Sequence, residues 1–276
     1  MIIEYSARSN VGMVRANNED NLFVNGVILP SDKCESSFAI DGNTRSVALF
    51  AVCDGMGGEE NGEIASQIAV QTLSEFSGLI ATTASDTPDC LNEAVQSFVN
   101  EVNERIRSEI ELSGKRMGTT LALAMISDNE ICCFNMGDSR IYSLKRTMFR
   151  QITNDHTLAA ERIRGGSRAN GYVMENNTGN KLTRCIGIGD ALTVERYPPI
   201  KGPCRMLICS DGLTDMVDSV EIENTMRVSS RVSDAADTFI KLSLINGGND
   251  NVTVIAIDVK YSNMHVLGRY LKMLKR

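Results

Sequence analysis

The sequence predicts a mixed α and β fold rather than a repeating βαβ unit. Three observations carry that reading: strand-like runs open and close the chain, two long helices fall together between strands, and a strand meander separates that pair from a later helix. The strand candidates are residues 2–6, 48–53, 119–126, 131–135, 140–144, 206–209 and 252–259. Most are rich in branched or apolar residues and bounded by Gly, Asp or Asn, the punctuation expected of strands. The first helix is expected over about 62–79. The second places Leu91, Val95, Phe98, Val102, Ile106 and Ile110 on one face at helical spacing. A third is expected over 233–244, with Ser233 as N-cap and Ala236, Phe239, Ile240 and Leu244 turned towards a core.

At 276 residues the chain can bury a sizeable core, and no segment has the length and polarity of an interdomain linker. A net charge of −7 argues against a nucleic-acid partner, whose affinity would come mainly from cations on backbone phosphates. The start lacks a secretory signal and no run is long enough to cross a bilayer, so a cytoplasmic location is expected. The 8 cysteines include Cys34, Cys53 and Cys209 but form no CxxC pair, and most have apolar neighbours. They read as free thiols in a reducing compartment.

The chemistry lies in acidic residues that recur where buried strands end. Residues 48–53 run into Asp54-Gly55-Met56-Gly57-Gly58, 206–209 into Ser210-Asp211-Gly212, and 131–136 into Gly137-Asp138-Ser139-Arg140. The loop Gly247-Gly248-Asn249-Asp250-Asn251 leads into the last strand, and Arg15-Ala16-Asn17-Asn18-Glu19-Asp20 adds carboxylates beside a guanidinium. A strand end fixes a side chain in place, while the following glycine lets the backbone turn sharply. Carboxylate and carbonyl oxygens suit magnesium or manganese, whereas zinc would call for histidines and thiolates, and the chain has only 2 histidines.

Taken together, residues 15–20, 54–58, Gly118-Thr119-Thr120, 137–140, Asp155-His156-Thr157, Leu182-Thr183-Arg184, 210–215 and Asp250-Asn251 stand in the order seen in the PPM family, also called protein phosphatase 2C. The chain resembles that family from its first strand to about Val259, and the DGMGG form resembles its bacterial branch. The resemblance implies an α+β, four-layer α-β-β-α sandwich over residues 1–260, with two central antiparallel sheets flanked by helices. Residues 261–276 are left as a basic amphipathic tail, suited either to a membrane surface or partner, or to packing on the domain.

It implies a metal-dependent protein serine/threonine phosphatase carrying two or three Mn2+ or Mg2+ ions. Asp54 would bridge two metals, Glu19 and the Gly55 carbonyl would serve one of them, and Asp211 and Asp250 the other. Asp138 would join Asp211 around a third. Arg15 would bind and stabilise the phosphoryl group in a bidentate fork. The nucleophile would be a hydroxide shared by two cations, attacking phosphorus in line without a phosphoenzyme. Substrates would be phosphoproteins, and a bacterial serine/threonine kinase the opposing partner.

Several positions stay open on sequence alone. Met56 replaces the histidine that many eukaryotic relatives carry after the bridging Asp-Gly, and a thioether cannot protonate a leaving group. His156 either supplies that proton or fixes the 155–157 turn, and His265 lies in the tail. Asp20 either contacts metal through water or partners Asn17 or Asn18. The stretch 159–180, with Arg162, Arg164 and Arg168, corresponds to a flap that would select substrates. The rival readings are a catalytically weak phosphoprotein-binding regulator of the same fold and a small-molecule phosphoesterase. No Walker loop supports an ATPase.

Overall fold

A computed structural model describes residues 1–30, 37–57, 61–83, 87–128, 130–164, 181–188 and 192–260. In chain order the strands are β1 (Ile2–Asn10), β2 (Asp20–Val24), β3 (Val27–Ile28), β4 (Ser37–Thr44), β5 (Ala48–Gly57), β6 (Met117–Thr119), β7 (Leu121–Ile126), β8 (Ile131–Met136), β9 (Arg140–Lys145), β10 (Met148–Gln151), β11 (Glu195–Arg196), β12 (Cys204–Cys209) and β13 (Val252–Lys260). The helices are α1 (Gly62–Thr82), α2 (Pro88–Ser113), α3 (Leu158–Arg164), α4 (Asp211–Thr214), α5 (Ser219–Val228) and α6 (Val232–Ile245). The strands form two sheets, one ordered β10-β9-β12-β13-β1-β4 and the other β11-β8-β7-β5-β2-β3, with β6 pairing antiparallel to the end of β5.

Three apolar clusters define the layers. Ile3, Phe50, Ile208 and Ile257 fill the space between the sheets. Leu73 and Ile80 of α1 and Val95, Phe98 and Ile106 of α2 pack on Leu49, Leu123 and Phe134 of the second sheet. Phe239 of α6 and Met226 of α5 pack on Leu207 and Val254 of the first. This is the expected α-β-β-α sandwich, and each fully buried Leu, Ile or Phe contributes about 1.5–3 kcal/mol of apolar transfer.

Local chemistry sets the boundaries. Thr87 caps α2 by accepting from the Cys90 amide, Pro88 opens the helix, and Gly114 closes it at φ 71°. The third predicted helix is capped two residues before Ser233: Arg231 is the N-cap of Val232–Ile245, and its amide donates to Asp234 at 3.3 Å. The strand predicted at 48–53 does not stop at Asp54. It continues through Gly57 by changing partner from β7 to β6, and the predicted 119–126 strand breaks at Thr120 for the same reason.

Strand β4 contains Asp41-Gly42-Asn43, which reads as a turn, yet Gly42 pairs with Tyr5, whose ring occupies the space a Cβ would need, 2.4 Å from the hydroxyl oxygen. The seven described cysteines are free, six of them buried. Cys34, Gly58, most of the predicted flap, His265 and the tail 261–276 lie outside the described residues.

Candidate active site

At one edge of the sandwich a cleft of about 250 Å³ is lined by Arg15, Glu19, Asp54, Gly55, Asp138, Asp211 and Asp250, together with Met56, Gly57, Thr120, Leu182 and Asn251. Residues from position 15 to position 251 thus meet in one place. The topology explains how: β5 and β2 belong to one sheet and β12 and β13 to the other, and Asp20 pairs with Asp54 across β2 and β5.

Each acidic group is held by its backbone. The Asp54 amide donates to Thr120 Oγ1 at 2.9 Å, and its carbonyl accepts from the Thr120 amide at 2.8 Å and Thr119 Oγ1 at 3.0 Å. The Glu19 amide donates to Asn251 Oδ1 at 2.7 Å, and its carbonyl accepts from the Gly55 amide at 3.1 Å and Ser66 Oγ at 2.6 Å. Its carboxylate takes the Gly62 amide at 3.2 Å, at the start of α1. Asp211 opens α4 immediately after β12, and Asp138 sits in the turn between β8 and β9.

Gly55 cannot be anything larger. A Cβ there would lie 2.0 Å from the Gly62 carbonyl oxygen and 2.6 Å from that of Glu19, both backbone atoms. Gly55→Ala is therefore expected to destabilise the fold by at least about 1–3 kcal/mol and to push Glu19 away from Asp54. Urea unfolding and phosphatase assays would check it, and wild-type values in both would refute the packing argument.

The carboxylates are crowded enough to resist ionisation. Burial, then the Asp211, Asp20 and Asp138 charges, raise Asp54 well above the ordinary range. Burial and Asp211 push Asp138 up to about 7, and burial and Asp215 push Asp211 up to about 6. Asp54 and Asp211 each bear on the other's ionisation. Glu19 is also raised, by burial, against the opposing Gly62 amide.

An all-oxygen set with excess negative charge fits hard divalent cations. Among the described residues no three acidic, histidine or cysteine side chains are grouped closely enough to hold a metal ion as they stand, so the fit rests on donor chemistry and charge.

Arg15 is half-exposed at 51% and pairs with Asp250 at 2.8 Å, rather than with Glu19 or Asp20. Asp20 is buried behind the cleft, accepting from Ser210 Oγ at 2.7 Å, and burial raises it to about 7. Neither Asn17 nor Asn18 takes its carboxylate, although Asn18 Oδ1 accepts the Asp20 amide at 3.2 Å. His156 is fully buried and does not line the cleft, which removes it as the leaving-group acid. Asn251 was given no role by the sequence, yet it ties the Asp250 loop to Glu19 and also donates to the Val11 and Asn17 carbonyls, both at 2.9 Å.

The layered sandwich with an acid-lined cleft at its edge defines a PPM-type phosphatase. Residues 31–243 match the protein phosphatase 2C family. The serine/threonine phosphatase stp of Listeria innocua serovar 6a is 34% identical over 256 residues, covering 91% of this chain and 94% of that protein. The serine/threonine protein phosphatase PstP of Mycobacterium tuberculosis is 30% identical over 268 residues, covering 94% of this chain and 45% of PstP. The solved catalytic domain of PstP in complex with 2 manganese ions superposes with a TM-score of 0.69 at 30% identity, over 94% of this chain and 99% of that one. The chain belongs to the protein phosphatase 2C family.

Proposed function

We propose that this metal-dependent protein serine/threonine phosphatase works through the cleft bounded by Asp54, Asp211 and Asp250, with Mn2+ or Mg2+ held there as two or three ions. The observation that carries this reading is the meeting of Glu19, Asp54, Asp138, Asp211 and Asp250 around one open cleft with Arg15 at its mouth. Glu19, Asp54 and the Gly55 carbonyl would serve one cation, Asp54, Asp211 and Asp250 a second, and Asp138 with Asp211 a third. When bound, such ions supply the Lewis acidity that makes water a nucleophile at neutral pH and offset charge on the phosphoryl oxygens.

The chain's own residues orient the substrate. Arg15 is exposed enough to meet a phosphate and is held over the cleft by Asp250, so its planar fork approaches two phosphoryl oxygens in a set orientation. Arg15→Ala is expected to lower kcat/KM for a phosphothreonine peptide about 10–100-fold, the worth of one charge-assisted hydrogen bond at about 1.5–3 kcal/mol. Arg15→Lys should recover only part, because an ammonium binds as a point charge. Parent-like kcat/KM in both variants would remove Arg15 from the site.

The substrates are phosphoserine and phosphothreonine in proteins, the opposing partner a bacterial serine/threonine kinase, and the compartment the cytoplasm. No described helix is long and apolar enough to cross a membrane. Residues 1–260 form the phosphatase domain and 261–276 an appended basic tail. The intact set of acidic residues argues against a regulator that merely binds phosphoproteins.

Manganese-dependent phosphate release from a phosphothreonine peptide, reversed by chelator, tests the reading. Turnover of nucleotides with no action on the peptide would favour a small-molecule phosphoesterase, and no turnover of either would favour the regulator.

A further inference from the structure

We propose that His156, oriented by Glu195, is the positioning residue that holds the Gly137-Asp138 turn at the cleft. The inference rests on the reading of Asp138 as a cation ligand. His156 stands outside the cleft, yet it takes both polar groups of the Gly137 backbone. Its Nδ1 accepts from the Gly137 amide at 3.1 Å, and its own amide donates to the Gly137 carbonyl at 2.9 Å. Asn135 Nδ2 donates to that same carbonyl at 3.1 Å.

The ring has one consistent protonation pattern. Nδ1 must be bare to accept an amide N–H, so the ring proton is on Nε2, which lies 2.7 Å from Glu195 Oε2. Glu195 is a firm acceptor: burial opposes its charge, but hydrogen bonds from His156 and Asn154 outweigh that and hold it below the ordinary range. Asn154 is itself fixed, its amide donating to Tyr197 Oη at 3.0 Å and its Nδ2 to Glu195 Oε1 at 3.2 Å. A carboxylate that orients a histidine whose other nitrogen fixes a neighbouring site is a familiar supporting arrangement around metals.

The far side of the turn is equally constrained. Gly137 has φ 114°, and a Cβ there would lie 2.6 Å from Thr120 Cγ2. Thr120 Oγ1 in turn meets Ser139 Oγ at 2.7 Å and accepts the Asp54 amide at 2.9 Å. The turn carrying Asp138 is thus clamped between His156 and the wall that carries Asp54. The His156 carbonyl also accepts the Thr183 amide at 2.8 Å, next to Leu182 on the cleft lining. Burial requires both ring nitrogens to be satisfied, and here one of them is satisfied by the backbone of the turn that carries Asp138.

The test uses the full chain, Mn2+ alone as the ligand, and calorimetric titration of the parent, His156→Asn, His156→Gln and Asp138→Asn. Asn places an oxygen near the position of Nδ1 and keeps an acceptor for the Gly137 amide, whereas Gln reaches towards Glu195 and leaves that amide without one. We expect His156→Gln to weaken the weakest Mn2+ binding step by about tenfold. His156→Asn should stay within about threefold of the parent. At saturating Mn2+, KM for a phosphothreonine peptide should stay within about twofold in both, since neither residue touches substrate.

Nitrogen-15 NMR of the parent ring should show the Nε2–H tautomer at neutral pH. Equal loss in the Asn and Gln variants, unchanged Mn2+ binding in both, or a ring protonated on Nδ1 would overturn the positioning role. Mn2+ binding unaltered by Asp138→Asn would instead overturn the ligand reading beneath it.

Discussion

Asp54→Asn is expected to lower kcat for a phosphothreonine peptide by about 10³-fold or more, and at the same time to raise the melting temperature of the chelated protein. Both effects come from one charge. Asp54 stands among Asp20, Asp138 and Asp211, whose charges oppose its ionisation, so a neutral isostere relieves repulsion when no cation is present. The backbone of residue 54 keeps its bonds to Thr119 and Thr120, so the fold should survive.

What the variant loses is the group proposed to serve two cations, and the rise in melting temperature on adding Mn2+ should shrink with it. Activity down with chelated stability up is the opposite of what misfolding produces. Calorimetric or fluorescence melting with and without Mn2+, beside the phosphate-release assay, reads all three quantities. Parent-like turnover, or a Mn2+ shift as large as the parent's, would count against Asp54 as the shared ligand.

The core strands were readable because they are buried on both faces. Residues 48–53 and 252–259 are near-continuous apolar runs, and such runs have few other places to go. Strands whose neighbours decide their state were not readable in the same way. β2 begins with Asp20-Asn21 and reads as part of the acidic motif, and it is a strand because it pairs with β5. β4 alternates in exposure at a sheet edge and carries a turn-like Asp41-Gly42-Asn43.

Helix α5 was missed, although Asp218 caps it by accepting the Glu221 amide at 2.8 Å, because its ten residues bury only Ile222, Thr225 and Met226. In the cleft, acidic residues next to buried strands were visible because the strand pattern anchors them. Glu195 and Asn251 were not, since each acts on a residue far along the chain, His156 and Glu19 respectively, and no periodicity records such a pairing.

The same crowding of carboxylates makes metal stabilisation depend on pH. Asp20 and Asp138 are raised to about 7 and Asp211 to about 6 from an ordinary 3.8, and Asp54 is also raised well above it. A carboxyl whose folded pKa is raised binds its proton more tightly folded than unfolded. Its contribution is therefore most favourable below about pH 4 and is lost as pH rises towards about 7. His156 works the other way: burial lowers its pKa from 6.5, so it costs stability as pH falls below that value.

Asp41 and Glu195, held below the ordinary range, work in the same sense as His156, and because none of the three lines the cleft their direct contributions largely cancel when melting is compared with and without Mn2+ at one pH. On the proposed ligand set a cation would take the place of protons on Asp54, Asp138 and Asp211, so its advantage would be small when they are protonated and large when they are ionised. At 100 times the dissociation constant a ligand adds about 2.7 kcal/mol, which for a domain of this size is about 5–10 °C. We expect a Mn2+ shift of that order at pH 8 and less than about half of it at pH 5.5. Equal shifts at the two pH values would mean that these carboxylates do not meet the ion.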